Sequence, residues 1–209
     1  MITLLGKAAS RAGRCLWALE EAGIEYEHNP VDYAKGEAKT DSFRAINPNA
    51  KIPALTDGNV AMFESLAINL YIAQTYRKGL LWPDDAAGNA ACQQWTLFAA
   101  TELEPPSAAR LVEFIFKTEE NRSQEVLDAA AEKTKAPLDA LEATLRDRDY
   151  LTGDYFNVAD LNVACVAEYL VRTKFDLSSW PKVNDWITRC LARPAFAVML
   201  DIKAKEMAA

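Results

Sequence analysis

The sequence predicts two units of different class: an α/β unit with a mixed four-stranded sheet, then an all-helical unit. Three observations carry this. The first 78 residues alternate strand-like and helix-like stretches in the order β-α-β-α-β-β-α. Strand signals stop after the turn-rich run Gly79-Leu80-Leu81-Trp82-Pro83-Asp84-Asp85. Pro53 stands at the entrance of the third strand, where its missing N–H is tolerated, and not inside a central strand, where it would break the ladder. The expected division is 1–78 for the α/β domain, 79–88 for a linker and 89–209 for the helical domain.

Taken in order, Ile2-Thr3-Leu4-Leu5 reads as a short buried strand and Gly6-Lys7-Ala8-Ala9 as a loop. A helix is expected from about Ser10 to Ala22, with Ala12, Cys15, Leu16, Leu19 and Ala22 as its apolar stripe and Gly23 ending it. Residues 24–31 lead into a second strand, and a weak helix lies near Asp41–Ala45. Ala54-Leu55-Thr56, Asp57-Gly58 and Val60-Ala61-Met62 form a hairpin, because a short Asp-Gly turn between apolar runs favours one. A helix follows from Glu64 to about Tyr76. Further on, 90–118 reads as one long helix or two, bent at Pro105-Pro106. Leu127, Ala131, Thr134, Leu138, Leu141 and Leu145 mark one face of another helix. Asn157 and Asp160 form a helix start of capping-box type, and Pro181 and Pro194 are placed as first-turn prolines.

Composition excludes several functions. Half of the 209 residues are hydrophobic and a quarter are charged, as in a globular protein. No apolar run approaches the roughly 18 residues that a membrane helix needs, and the N-terminus lacks the basic region and apolar core of a signal peptide. The net charge of −7 falls entirely after residue 78, since the first 78 residues hold nine basic and nine acidic side chains. Such a balance argues against a nucleic-acid partner. One histidine and four widely spaced cysteines argue against a metal site and for a reducing, cytoplasmic setting.

The chemistry concentrates in Asn47-Pro48-Asn49-Ala50-Lys51-Ile52-Pro53-Ala54-Leu55 and Glu64-Ser65. If the bond before Pro53 is cis, the chain turns sharply and Ile52 offers its backbone N–H and C=O sideways, as a slot for an extended peptide. Glu64-Ser65 opens a helix, whose free N–H groups favour a carboxylate. With Ser10-Arg11-Ala12-Gly13-Arg14-Cys15 upstream and Gly153-Asp154 followed by Asn157-Val158-Ala159-Asp160 downstream, the chain resembles the soluble, cytosolic-type glutathione S-transferases over essentially its whole length. It looks like a bacterial-like member of a serine-type class. Members usually carry Ser or Thr where Asn157 stands, and Pro is often found in the loop that here reads Lys7-Ala8-Ala9-Ser10. No Tyr precedes Tyr26, and Cys15 lies more than a turn inside the helix on its apolar stripe, which leaves Ser10 as the residue resembling the family's thiol activator.

The resemblance implies a thioredoxin-like first domain and glutathione as co-substrate. Ser10 would hydrogen-bond the glutathione sulfur as thiolate, with Arg11 adding positive field. The Ile52 backbone would pair with the cysteinyl part, Pro53 would be the cis proline, and Lys51 would reach the glycyl carboxylate. Glu64 and Ser65 would hold the γ-glutamyl end. A small hydrophobic electrophile would meet Ala8 and Ala9 and, from the helical domain, Thr101, Pro105, Ala109 and Phe114. A homodimer is also implied. Alternatives on the same fold are a non-catalytic binding module and a glutathione-dependent isomerase or peroxidase.

Overall fold

The structure is a computed structural model describing residues 1–208. It comprises two compact units, one formed by residues 1–83 together with the chain from Arg193 onward, the other by Asp84–Ala192.

The first unit is built on a sheet in the order β2-β1-β3-β4: β1 (Ile2–Leu5), β2 (Tyr26–Asn29), β3 (Ala54–Asp57) and β4 (Val60–Phe63). β1 and β2 run parallel, Ile2 opposite Tyr26, and are joined through helix α1 (Ala12–Ala22), as a parallel pair requires. β1 meets β3 antiparallel, Leu5 opposite Ala54, and β3 meets β4 through the two-residue turn Gly58-Asn59. Gly58 takes φ +56, the left-handed conformation that such a turn demands. Successive residues of β1 face opposite sides, and both Leu4 and Leu5 are buried. Leu5 joins Val31, Ala38, Phe43 of α2 (Asp41–Arg44) and Ala54 in one apolar cluster, with Ile46 and Ile52 packed against it. Helices α1 and α3 (Ser65–Tyr76) add Leu16, Leu19, Ile68 and Ile72, all fully buried.

Two features differ from the sequence expectation here. Helix α1 begins at Ala12, two residues after Ser10, because residues 8–11 form a turn and Arg11 takes the cap position. The last helix, α9 (Pro194–Ala208), expected in the helical domain, packs instead on α1 of the first unit. Its Phe196 ring lies edge-on to Trp17 at 4.8 Å, and Arg193 grips the Glu21 carboxylate through Nε and an Nη nitrogen at 2.6 and 2.7 Å. Buried apolar residues on α9 announce a helix with one inward face, but the core they enter is a tertiary choice.

In the second unit, α7 (Val158–Arg172) is buried at every residue from Val158 to Ala167 and is the central helix. Against it pack α4 (Ala86–Phe98), α5 (Glu104–Phe116) and α8 (Pro181–Leu191), and α6 (Gln124–Thr144) packs on α5 and α8. Between α4 and α5 the residues Ala99–Leu103 form a π-helical turn in which the Glu104 N–H reaches back five residues to Ala99 O. Pro105 and Pro106, which have no N–H to donate, follow at once, so the break lies just ahead of the two prolines. The Asn157 capping box forms, and Pro181 and Pro194 each start their helix. No described helix is long and apolar enough to cross a membrane.

Candidate active site

The first unit gathers the motif residues around the start of α1. The loop ahead of it is held at Gly6, Lys7 and Ala8. Gly6 N–H donates to Asn29 O at 2.8 Å, and Lys7 N–H donates to Val31 O at 3.2 Å. The Lys7 ammonium sits 2.7 Å from Asp32, and this hydrogen bond, against a smaller desolvation, raises its pKa. Ala8 N–H donates to Glu206 Oε2 of α9 at 2.8 Å.

Ser10 comes next and is half-buried. Its hydroxyl donates to Lys7 O at 2.7 Å and accepts from Ala12 N–H at 3.1 Å, while its own N–H also goes to Lys7 O. The serine therefore shapes the turn that launches α1, as a capping side chain does. Arg11 is exposed, Ala9 is exposed and Ala8 is buried.

Gly6 sets the distance to the second motif. It takes φ +137, and a Cβ added to it would lie 3.0 Å from the Cβ atoms of both Ala12 and Ile52. A side chain there would push the start of α1 away from the Ile52 turn, so glycine is needed. The Ile52–Pro53 bond is cis. Ile52 precedes the β3 ladder, which starts at Ala54, and its backbone lies outside the strand register. Asn47, buried, builds the turn before it: its Nδ2 donates to Lys51 O at 2.6 Å and its Oδ1 accepts from Asn49 N–H at 3.0 Å. The Lys51 side chain is exposed. Sequence reading quoted Asn47 but gave it no task; its Asn-Pro-Asn setting is a turn signal that could have done so.

The third motif heads α3. Glu64 occupies the cap with φ +71 and ψ +104, a strained conformation for a side chain with a Cβ, and no side chain caps the helix. Ser65 is the first helical residue and is buried. Helix α1 holds it from two sides: Arg14 Nη1 lies 3.5 Å from its Oγ, and the Cys15 thiol donates to its carbonyl at 3.5 Å. Arg14, and Cys15 of the apolar stripe, thus hold Ser65 in place.

This layout comprises a cis-proline turn with an exposed-edge backbone, an uncapped helix start and a serine at the head of α1. Residues 1–74 match the glutathione S-transferase N-terminal domain family, and residues 105–194 match the C-terminal domain family. The chain belongs to the glutathione S-transferase family. It is a glutathione S-transferase, an enzyme whose co-substrate is glutathione.

Among its relatives, glutathione S-transferase 4 of Zea mays is 34% identical over 186 residues, covering 87% of this chain and 83% of the relative. A glutathione S-transferase of Hyoscyamus muticus is 33% identical and covers 91% and 92% of the two chains. The crystal structure of glutathione transferase F2 from Populus trichocarpa superposes with a TM-score of 0.90 at 26% identity, over 98% of this chain and all of the other. A transferase from Burkholderia graminis, crystallised with two glutathione molecules per subunit, gives 0.85 at 28% identity over 96% and 87%. Plant and bacterial transferases thus both stand among the proteins it resembles.

The transferase's helical unit carries the other residues named from sequence. Thr101 lies exposed in the π-turn, its hydroxyl donating to Leu97 O at 3.0 Å. Pro105 is exposed and Ala109 half-buried on α5. The Phe114 ring is flanked by guanidinium groups, Arg110 at 5.0 Å and Arg122 at 4.1 Å from its centroid. That pairing gives the ring a polar surrounding the sequence did not signal.

Proposed function

We propose that this transferase conjugates glutathione to small hydrophobic electrophiles, with Ser10 stabilising the thiolate. The contact of Gly6 with both Ala12 and Ile52 carries the reading, because it sets the serine turn against the turn that would hold the cysteinyl part. The Ile52 backbone pairs with the peptide like an added strand. The open start of α3 at Glu64 and Ser65 receives the γ-glutamyl carboxylate and ammonium. Lys51, exposed beside the turn, answers the glycyl carboxylate. Arg11 adds positive field at the start of α1. Ala8 and Ala9, beside Ser10, contribute to the electrophile's surroundings. Homodimerisation and a cytoplasmic location belong to the same reading and rest on family membership.

The size of the Ser10 effect follows from its hydrogen bonds. A free thiol with a pKa near 8.5 is only about 3% ionised at pH 7. The Ser10 hydroxyl has one hydrogen, now on Lys7 O. To reach a thiolate it must leave that carbonyl, which keeps the Ser10 N–H as a donor and is not orphaned. The exchange replaces a neutral bond worth about 1 kcal/mol with a charge-assisted one worth about 1.5–3 kcal/mol. The net gain of about 0.5–2 kcal/mol corresponds to roughly one pK unit, or tenfold in thiolate at fixed pH. The Ala12 N–H on the same oxygen strengthens the donor.

Ser10→Ala tests this. The thiolate absorbance of the glutathione complex and the conjugation rate should both move to higher pH, with a rate loss of roughly tenfold at pH 6.5 that largely returns at pH 9. Glutathione affinity should hold. Curves that stay in place would make Ser10 a turn residue only.

A further inference from the structure

Two charged or polar side chains outside the glutathione motifs converge on the loop that carries Ser10. One is His28 on β2, the only histidine of the chain. The other is Glu206, near the end of α9. His28 Nε2 lies 2.8 Å from Gly6 O. A carbonyl can only accept, so Nε2 carries the hydrogen and Nδ1 points elsewhere. Where it points is toward Glu206 Oε1, 3.3 Å away. That oxygen is buried and receives no other hydrogen bond, so it lies against Nδ1 and pairs with it when the ring carries both hydrogens. The second oxygen, Oε2, takes the Ala8 N–H at 2.8 Å. The two side chains are each about 15% exposed, 15% and 14%.

The result is a closed bracket: Gly6 carbonyl, His28 ring, Glu206 carboxylate, Ala8 amide. It grips the residues on either side of Lys7, whose carbonyl is the one that holds the Ser10 hydroxyl and N–H. Nearby charges are the Lys7 ammonium, which feels Glu206 as well as its partner Asp32, and Glu37 beyond them. On its far side Ala8 is equally confined, since its carbonyl lies 2.6 Å from where a Cβ on Gly13 would be. The segment cannot shift without breaking the bracket or moving α1.

We infer that Glu206, with His28, is a positioning residue for catalysis: the end of α9 fixes the backbone from Gly6 to Ala8 and thereby aims the Ser10 hydroxyl. Neither side chain touches glutathione; both act through the loop. The inference rests on the proposed role of Ser10. A catalytic donor misplaced by a fraction of an ångström loses much of its effect, whereas the peptide-binding contacts at Ile52 and Ser65 belong to other segments and stay. The bracket should therefore influence turnover and the bound thiol's pH profile, and leave glutathione affinity alone.

The test compares the full-length protein with Glu206→Ala, Glu206→Gln, His28→Gln and, as a control on the exposed side of α9, Asp201→Asn. Glu206→Ala should lower kcat roughly tenfold and move the bound-thiolate absorbance to higher pH, with the glutathione KM changed less than about twofold. Glu206→Gln retains an acceptor for Ala8 and should lose less. His28→Gln retains a donor for Gly6 and should also be mild, and the control should match the parent. Because there is one histidine, its ring nitrogens are read directly by NMR. Glu206→Gln should shift the Nδ1 resonance and spare Nε2. A Glu206→Ala protein that melts lower yet keeps kcat and thiolate profile would reduce α9 to a docking helix and overturn the inference. An unmoved Nδ1 signal would overturn the pairing itself. Should Ser10→Ala prove silent, the catalytic role of the bracket falls with that of the serine, while the NMR arm still reports the contact on its own.

Discussion

Helices α7 and α3 begin in opposite ways. At the start of α7 the capping side chains are paired internally. Asn157 Oδ1 accepts from Ala159 N–H at 3.0 Å and Asp160 Oδ2 from Asn157 N–H at 3.2 Å. The other carboxylate oxygen, Oδ1, takes Leu151 N–H and Trp186 Nε1–H, both at 2.9 Å. At the start of α3 no side chain caps the helix, and the residue in the cap position is strained at φ +71. Both ends present the same positive dipole. One is closed by side chains that hold its own domain together; the other begins without a side-chain cap. On the function proposed, the difference separates a folding element from a ligand-binding element.

The largest expected effect breaks the closed end. Asp160→Ala strands three N–H donors in the core and should cost about 3–5 kcal/mol, lowering the melting temperature by on the order of 10 °C. Burial pushes the Asp160 pKa up to about 6, against the pull of its donors. Its folded form thus holds a proton more readily than the unfolded chain between roughly pH 4 and pH 6. Stability from this group falls as pH rises through that window and is level above it. The deficit of the variant should accordingly be greatest near pH 4 and shrink toward pH 6, which thermal melts against pH will show. A deficit independent of pH would mean that the carboxylate stays ionised throughout.

At the open end the effect should move from stability to binding. Ser65→Ala removes a hydroxyl whose protein contact is a long 3.5 Å approach from Arg14, so the fold should change little. The glutathione KM should rise roughly tenfold, about 1.4 kcal/mol, with kcat within about twofold. Steady-state kinetics at saturating electrophile measures both. The smallest effect has the opposite sign. Glu64→Gly relieves the positive φ and should raise stability by about 0.5–1 kcal/mol while weakening glutathione, because the γ-glutamyl ammonium loses its carboxylate. Loss of stability in that variant would show that the Glu64 side chain, not the ligand, justifies the strained cap.

What could be read from the chain follows the same divide. The Asn157–Asp160 box, the first-turn prolines of α8 and α9, the Gly58 hairpin and the Pro53 strand entrance obey rules that span four residues or fewer, and all were legible. The start of α1 was misread by two residues because Ser10 can cap either a helix or the turn before it, and only the Lys7 carbonyl decides. The docking of α9 and the bond from Ala8 to Glu206, 198 residues apart in sequence, had no local signature. Periodicity says that a helix has an inward face, never against what. The π-turn lay in between: two prolines gave notice of a discontinuity, but the reach of Glu104 to Ala99 is set by packing.

The four cysteines have a practical consequence. Cys15, Cys92, Cys165 and Cys190 are all buried, none is in a disulfide, and burial pushes the Cys92 thiol up to about 11. A protein that handles a reactive thiol all its working life thus keeps its own thiols out of reach. Neither electrophile nor oxidised glutathione finds a native thiolate to modify. Alkylating reagents can enter only when a unit opens, so the rate of thiol labelling becomes a clock for local unfolding, read cysteine by cysteine in each of the two units.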